Sequence, residues 1–316
     1  MPLLWLNKTV VGKIMKFEGI YTPAVTTMTP SGEIDKKAYA NHLEKLVAAK
    51  VHGIVIAGST GEYYAQTMQE RLDLAAYAKD VIGSRLPLIV GTGATRTEDA
   101  IEYAKGAREI GASAILVTSP PYALPTAEEN AVHALKIDQA AGLPIMLYNY
   151  PARMGVSMDA TYFDMVVKSK NVVAIKESSG DMNTLHLLAC HYPQISLSCG
   201  WDDQALEFFA WGAKSWVCAG SNFIPAEHIA LYEACVVEKD FAKGRKIMKA
   251  MMPLMDFLES GKFVQSIKFG CEVTGQPTGP VRAPLGPLTA EEQGSLRDIV
   301  KNIQTNVAKI VAGASE

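Results

Sequence analysis

Val172-Val-Ala-Ile-Lys-Glu-Ser-Ser-Gly-Asp181 sets an unbroken apolar run in front of a lysine, a glutamate, two serines and a glycine. Apolar residues without alternation are what a parallel strand needs when helices cover one face and barrel contents fill the other. The polar turn behind them fits the carboxyl end of such a strand, where α/β barrels keep their reactive groups. Working outward, short β-branched or apolar runs recur at roughly the 30-residue spacing of a βα unit. They predict strands near Gly19–Val25, Val51–Ala57, Pro87–Gly91, Ala114–Thr118, Pro144–Tyr148, Ile195–Cys199 and Ser215–Cys218, with Val172–Lys176 completing eight. Eight such units close a (β/α)8 barrel. A doubly wound sheet seldom carries eight even repeats, and Gly91-Thr-Gly-Ala-Thr-Arg96 lacks the third glycine of a dinucleotide fingerprint.

Beyond Asn222 the strand pattern stops, and Ala226–Glu238, Phe241–Leu258, Val264–Thr274 and Ala290–Val311 read as helices, the last set apart by four prolines between Pro277 and Pro287. The expected organisation is an N-terminal extension over residues 1–14, a barrel over 15–236, and C-terminal helices packed on it over 237–316. Met1–Lys8 has an apolar patch but no basic lead or long apolar core, so it reads neither as a signal peptide nor as a membrane span.

Composition narrows the partners. With 316 residues, 48% of them apolar, the chain can bury a large core. A net charge of −3 offers no footprint for a nucleic-acid backbone or an anionic membrane, which leaves a small molecule as the expected partner. Five scattered cysteines without a C-x-x-C pair fit a reducing cytoplasm, and six histidines without ligand spacing predict no catalytic metal.

Polar residues concentrate where the predicted strands end: Gly58-Ser-Thr-Gly-Glu62, Thr118-Ser-Pro-Pro-Tyr122, Tyr148-Asn-Tyr-Pro-Ala-Arg153 and Gly200-Trp-Asp-Asp203 join the Lys176 loop. Lys176 should project from the barrel wall into partly desolvated space, which disfavours the ammonium and frees the amine to attack a carbonyl. A lysine paired with Glu177 or reaching to solvent is the structural alternative. Tyr148, ending the adjacent strand, offers a phenol for proton transfer, although alone it is as readily a core tyrosine. Ser59 and Thr60 offer hydroxyls for a carboxylate, or a turn kept for its backbone shape. Arg153 offers a planar fork for a carboxylate, or a surface ion pair.

Together, Gly58-Ser-Thr-Gly-Glu62, Tyr148-Asn-Tyr-Pro151 and Ile175-Lys-Glu-Ser-Ser-Gly180 resemble, in order and spacing, the signatures of the dihydrodipicolinate synthase and N-acetylneuraminate lyase superfamily, over about residues 16 to 310. The resemblance implies that Lys176 forms a Schiff base without any cofactor and that Tyr148 is the acid/base. It further implies that Ser59 couples Tyr148 to Tyr122 supplied by a neighbouring subunit, and that Thr60 binds a carboxylate. A homotetramer built as a dimer of dimers follows from it.

Within the superfamily, Arg153 matches the arginine that binds the semialdehyde carboxylate in dihydrodipicolinate synthases. Ser59, Pro121-Tyr122 and Tyr63-Tyr64 depart from that pattern, and Gly200-Trp-Asp-Asp203 is closer to the Gly-Tyr-Asp-Glu of neuraminate lyases. Arg153 for a carboxylate, with Gly200, Asp202 and Asp203 for a hydroxylated end, points to a hydroxylated 2-oxo acid or its cyclic imine. Lys176–Pro225 resembles the bacterial deaminases that convert 1-pyrroline-4-hydroxy-2-carboxylate into 2,5-dioxopentanoate and ammonia. A 4-hydroxy-tetrahydrodipicolinate synthase, a 2-oxo-3-deoxy sugar acid dehydratase and a pyruvate aldolase share the same imine chemistry and stand as alternatives.

Two other classes compete. Ala57-Gly-Ser-Thr-Gly61 approximates the nucleophile elbow of a serine hydrolase, with His228 as its only late histidine. A non-catalytic binding protein on the same barrel would be expected to lack the lysine or the tyrosine.

Overall fold

The computed structural model describes residues 15–313, so the extension expected over residues 1–14 lies outside the described residues. Eight parallel strands form a closed barrel in sequence order: β1 (Gly19–Pro23), β2 (Gly53–Ile56), β3 (Leu88–Gly91), β4 (Ala114–Thr118), β5 (Ile145–Asn149), β6 (Val172–Glu177), β7 (Ser196–Cys199) and β8 (Ser215–Val217). The strands are shorter at their edges than the apolar runs suggest. Val51 and Ala57, for instance, are buried in the turns that flank β2 rather than paired in it.

The helices around the barrel are α1 (Lys36–Ala48), α2 (Met68–Ile82), α3 (Thr97–Glu109), α4 (Ala127–Ala141), the single turn α5 (Pro151–Met154), α6 (Ala160–Val166), α7 (Met182–His191), α8 (Ala205–Ala210) and α9 (Pro225–Tyr232). Local chemistry fixes where many of them begin. Thr67 and Thr126 each accept a backbone N–H while Glu70 and Glu129 reach back to the cap, and Asp35, Asp159 and Asp181 cap α1, α6 and α7. Each such cap is worth about 1 kcal/mol, enough to set a boundary that hydrophobic pattern alone leaves open.

Two apolar shells follow from the strand pattern. Residues such as Ile54, Ile115, Leu147 and Ile175 point outward into the layer between strands and helices, whereas Val55, Leu116, Met146 and Ala174 fill the barrel. The barrel is therefore a packed core, and the cavity that holds Lys176 opens at its carboxyl end.

The expected run of helix over Ala226–Glu238 is α9 followed by a π-helical turn at Glu233–Val237. Beyond it come α10 (Phe241–Glu259), α11 (Phe263–Val273) and α12 (Ala290–Val311), with α10 packed on α8, α9 and α12. This appendage is bolted to the site loops by buried charge. The carboxylate of Glu62, in the turn after β2, meets Lys268 Nζ of α11 at 2.7 Å and accepts the Arg282 backbone N–H at 2.8 Å. The Arg282 guanidinium forks onto Glu70 at 2.6 and 2.8 Å. The turn bearing Ser59 and Thr60 is thereby tied to residues more than two hundred positions away.

Candidate active site

Lys176 and Tyr148 are register partners on β6 and β5, so both side chains point into the barrel mouth from adjacent strands. The Lys176 Nζ sits 4.3 Å from the centroid of the Tyr148 ring. Both residues are buried, and among the described residues no carboxylate lies within ion-pair distance of Lys176. Glu177, the structural alternative partner, turns away and accepts from Asn149 Nδ2 at 2.7 Å. Loss of water lowers the Lys176 pKa, and the Asp202 carboxylate opposes that shift without reversing it. The shift makes the free amine, which is the nucleophilic form, more available than in an exposed lysine. Burial pushes the Tyr148 phenol up to about 12, with Arg153 and the hydroxyls of Ser59 and Ser178 pulling the other way. Tyr148 therefore holds its proton until a base or a developing charge calls for it.

Ser59 and Thr60 lie in a 3₁₀ turn directly after β2 and line the cavity with Arg153. Arg153, on α5, stands at the mouth with its guanidinium over the Tyr150 ring at 5.4 Å and with no carboxylate partner among the described residues. The fork is thus free for an acid group. Tyr150 packs against Tyr148 at 5.8 Å and edge-on to Trp201 at 6.2 Å, which makes one aromatic wall.

Gly200 lines the cavity for a steric reason. A Cβ there would stand 2.1 Å from Ser178 Oγ and 2.6 Å from Lys176 Cγ, so only glycine lets the lysine stem rise past β7. Asp202 accepts from the Trp216 indole N–H at 2.8 Å and also lines the cavity. Desolvation raises its pKa from 3.8 to about 7, against the pull of Trp216 and Lys176. Asp203 points aside and does not line the cavity, and neither does Tyr122, which is 91% exposed in a left-handed turn after β4. Of the sequence candidates, the single chain gathers Lys176, Tyr148, Ser59, Thr60, Arg153, Gly200 and Asp202.

Several wall residues escaped the sequence reading, Tyr150, Glu259 and Phe263 among them. Tyr150 was visible inside a quoted motif but carried no distinguishing signal. Glu259 and Phe263 come from the end of α10 and the start of α11, and nothing in a helical appendage marks them as facing a site. His228, the histidine a hydrolase would need, is fully buried in α9 against Trp216, bonded to the Ile224 carbonyl and outside the cavity. It cannot serve Ser59.

Comparison with known proteins places this geometry. The model of the dihydrodipicolinate synthetase family matches residues 16–303. The chain belongs to that family. Among the similar relatives in it are the 4-hydroxy-tetrahydrodipicolinate synthases of Exiguobacterium sibiricum, 34% identical over 85% of this chain and 92% of the relative, and Halalkalibacterium halodurans, 32% identical over 93% and 99%. The structure of the 4-hydroxy-tetrahydrodipicolinate synthase from Methylacidiphilum fumariolicum SolV superposes with a TM-score of 0.89 at 29% identity, over 94% of this chain and 99% of that one. A prophage protein of the dihydrodipicolinic acid synthase family from E. coli K12, in complex with pyruvate, gives 0.86 at 26% identity, over 91% and 99%.

Membership in the dihydrodipicolinate synthetase family makes the chain a class I Schiff-base lyase, whose covalent imine takes the place of a cofactor. Among the described residues no group of three or more His, Cys, Asp or Glu side chains is arranged to hold a metal, and no helix is long and apolar enough to cross a membrane.

Proposed function

We propose that this lyase removes water and ammonia from a hydroxylated cyclic imine, 1-pyrroline-4-hydroxy-2-carboxylate, through an imine on Lys176. The observation that carries the reading is the joint presence, around one desolvated lysine, of an unpaired Arg153 and the carboxylates of Asp202 and Glu259. A substrate that fits must offer an acid group to the arginine and hydroxyl or N–H donors to the carboxylates.

The Lys176 amine adds at C2, the C2–N bond breaks, and the ring opens to an imine on Lys176 with a free amine at C5. Tyr148 relays the C3 proton and the C4 hydroxyl departs as water. The resulting conjugated system tautomerises to an iminium at C5. One water attacks there and releases ammonia, and a second attacks C2 and returns Lys176 with 2,5-dioxopentanoate. One water leaves and two enter, so the net reaction consumes one water.

Tyr122 belongs to this reading as a residue of a second subunit. Its ring, with Leu124 and Tyr64, is exposed on the loops at the carboxyl end of the barrel, the kind of apolar surface that a partner covers. The relay would run from Tyr148 through Ser59 to the partner copy of Tyr122, within a homotetramer.

A second reading, condensation of pyruvate with aspartate semialdehyde, is favoured by the names of the relatives and by Arg153. Ammonia release from 1-pyrroline-4-hydroxy-2-carboxylate, wild type against Lys176→Ala, separates the two. Release lost in the variant supports the deaminase. No release by wild type, with pyruvate still trapped on Lys176 by borohydride, transfers the assignment to the synthase.

A further inference from the structure

The barrel lining is not uniform. Strand register places Thr118, Tyr148, Lys176, Ser198 and Ser215 in one row across β4 to β8, each the partner of the next. Because Leu116, Met146, Ala174 and Val217 fill the interior, the residues two positions away on the same strands face inward too. Lys176 therefore has Tyr148 on one side and Ser198, then Ser215, on the other. Ser198 and Ser215 are wholly buried, and the hydroxyl of neither finds a hydrogen-bond partner among the described residues.

Thr118 at the far end of the row has an orphan hydroxyl too, but Tyr148 and Lys176 separate it from the serines, which stand side by side. Each such hydroxyl costs roughly 1–3 kcal/mol of desolvation, and alanine or valine there would remove that cost. The opposite side of the same interior is built in just that way, from Val55, Ile89, Leu116 and Met146. On the serine side the inward residues Ala174, Ser198 and Ser215 are small and occupy less of the interior than the side chains opposite. A buried water is held by just such otherwise unsatisfied polar groups.

We infer that Ser198 and Ser215 together bind a water molecule inside the barrel beside Lys176, and that this water helps to set the charge of the amine. They act as positioning residues, through the water and not on the substrate. Other groups bear on the same amine: Asp202 after β7, Tyr150 after β5, Cys199 on β7, Cys218 after β8 and, more distantly, Glu259 of α10. None of them lies in the serine layer. A water dipole turned toward Nζ favours the ammonium, so its removal should make the free amine available at lower pH.

The inference rests on Lys176 being the nucleophile but not on which substrate it serves. The test is borohydride trapping of pyruvate on full-length protein, with the adduct located by mass and the trapping rate followed against pH. In Ser198→Ala/Ser215→Ala the acid limb should move down by about half a pH unit or more, which is a threefold or greater rise in rate on that limb. Ser198→Thr in the Ser215→Ala background, which restores one hydroxyl, should return part of the shift. An unchanged limb in a double variant that melts higher than wild type would mean that the hydroxyls hold nothing of consequence. If the double variant does not fold, a high-resolution crystal structure of the wild type decides: density for a water bridging the two hydroxyls supports the inference, and a dry layer overturns it. Failure to trap any adduct on Lys176 is a different result, which removes the nucleophile assignment itself.

Discussion

Lys176 and Lys268 are both buried, at 8% and 4% exposure, and in both the amine is pushed down by loss of water. They differ in what meets the amine. Lys268 has the Glu62 carboxylate at 2.7 Å and the Pro280 carbonyl at 2.6 Å, so its charge is matched and its place fixed. Lys176 has the face of a tyrosine ring and an open cavity. A buried lysine paired with a carboxylate fastens two pieces of structure together, whereas one without such a partner holds reactivity in reserve. Burial alone would not have told them apart.

That contrast is easiest to break at the lysines themselves. Lys176→Ala should reduce turnover by at least about a thousandfold while leaving the melting temperature near wild type, because it removes a nucleophile and no ion pair. Activity assay beside thermal unfolding checks both halves. Lys268→Met should do the reverse. It strands Glu62 without its counter-charge, at a cost of about 3–5 kcal/mol in denaturant unfolding, and adding Glu62→Met should recover much of the loss. If Lys268→Met is as stable as wild type, the ion pair is not the fastening described above.

Asp202 sharpens the same comparison, since it is the carboxylate near Lys176 that stops short of pairing with it. Its folded pKa of about 7 lies above the ordinary 3.8, so the fold favours the protonated acid. Below about pH 3 the group is neutral folded or unfolded and contributes no penalty. As pH rises through 4 to 7 the unfolded chain ionises first, and the native state loses stability up to about pH 7. Asp202→Asn should accordingly raise the melting temperature at pH 8 and leave it unchanged near pH 3. The same variant should move the acid limb of pyruvate trapping to lower pH, because the charge that favours the ammonium is gone.

The smallest effect belongs to the exposed tyrosine. Tyr122→Phe should lower turnover by about tenfold or more, within the range of a lost proton-transfer group, while sedimentation reports an unchanged assembly. Unchanged turnover would break the relay from Ser59 to a partner copy.

Much of this was legible in the sequence for identifiable reasons. Most of the strands announce themselves because parallel barrel strands are largely apolar on both faces, β7 with its inward serines being the exception, and Lys176 stands out as the charge that ends such a run. Strand ends were less legible. Pro87, Pro144 and Ile195 extend apolar runs but lie just outside the ladder. The lysine pair shows where pattern fails, since Lys268 sits in an amphipathic helix as any surface lysine might, and its partner Glu62 is far away in the chain. Glu259 is hidden in the same way, because its role depends on where a helix ends in space. Tyr122 is harder still, because it does not line the cavity of its own chain.

Glu259 and Phe263, which line the cavity, lie at the junction of α10 and α11, while the amine lies on a strand of the barrel. The chemistry and this stretch of wall are therefore separate parts of the gene. A short cassette spanning the α10–α11 junction can be randomised or exchanged with that of a relative while every strand residue stays in place. Such a library would alter which molecules fit without touching the reaction that awaits them, and this makes the junction a practical starting point for retuning the enzyme.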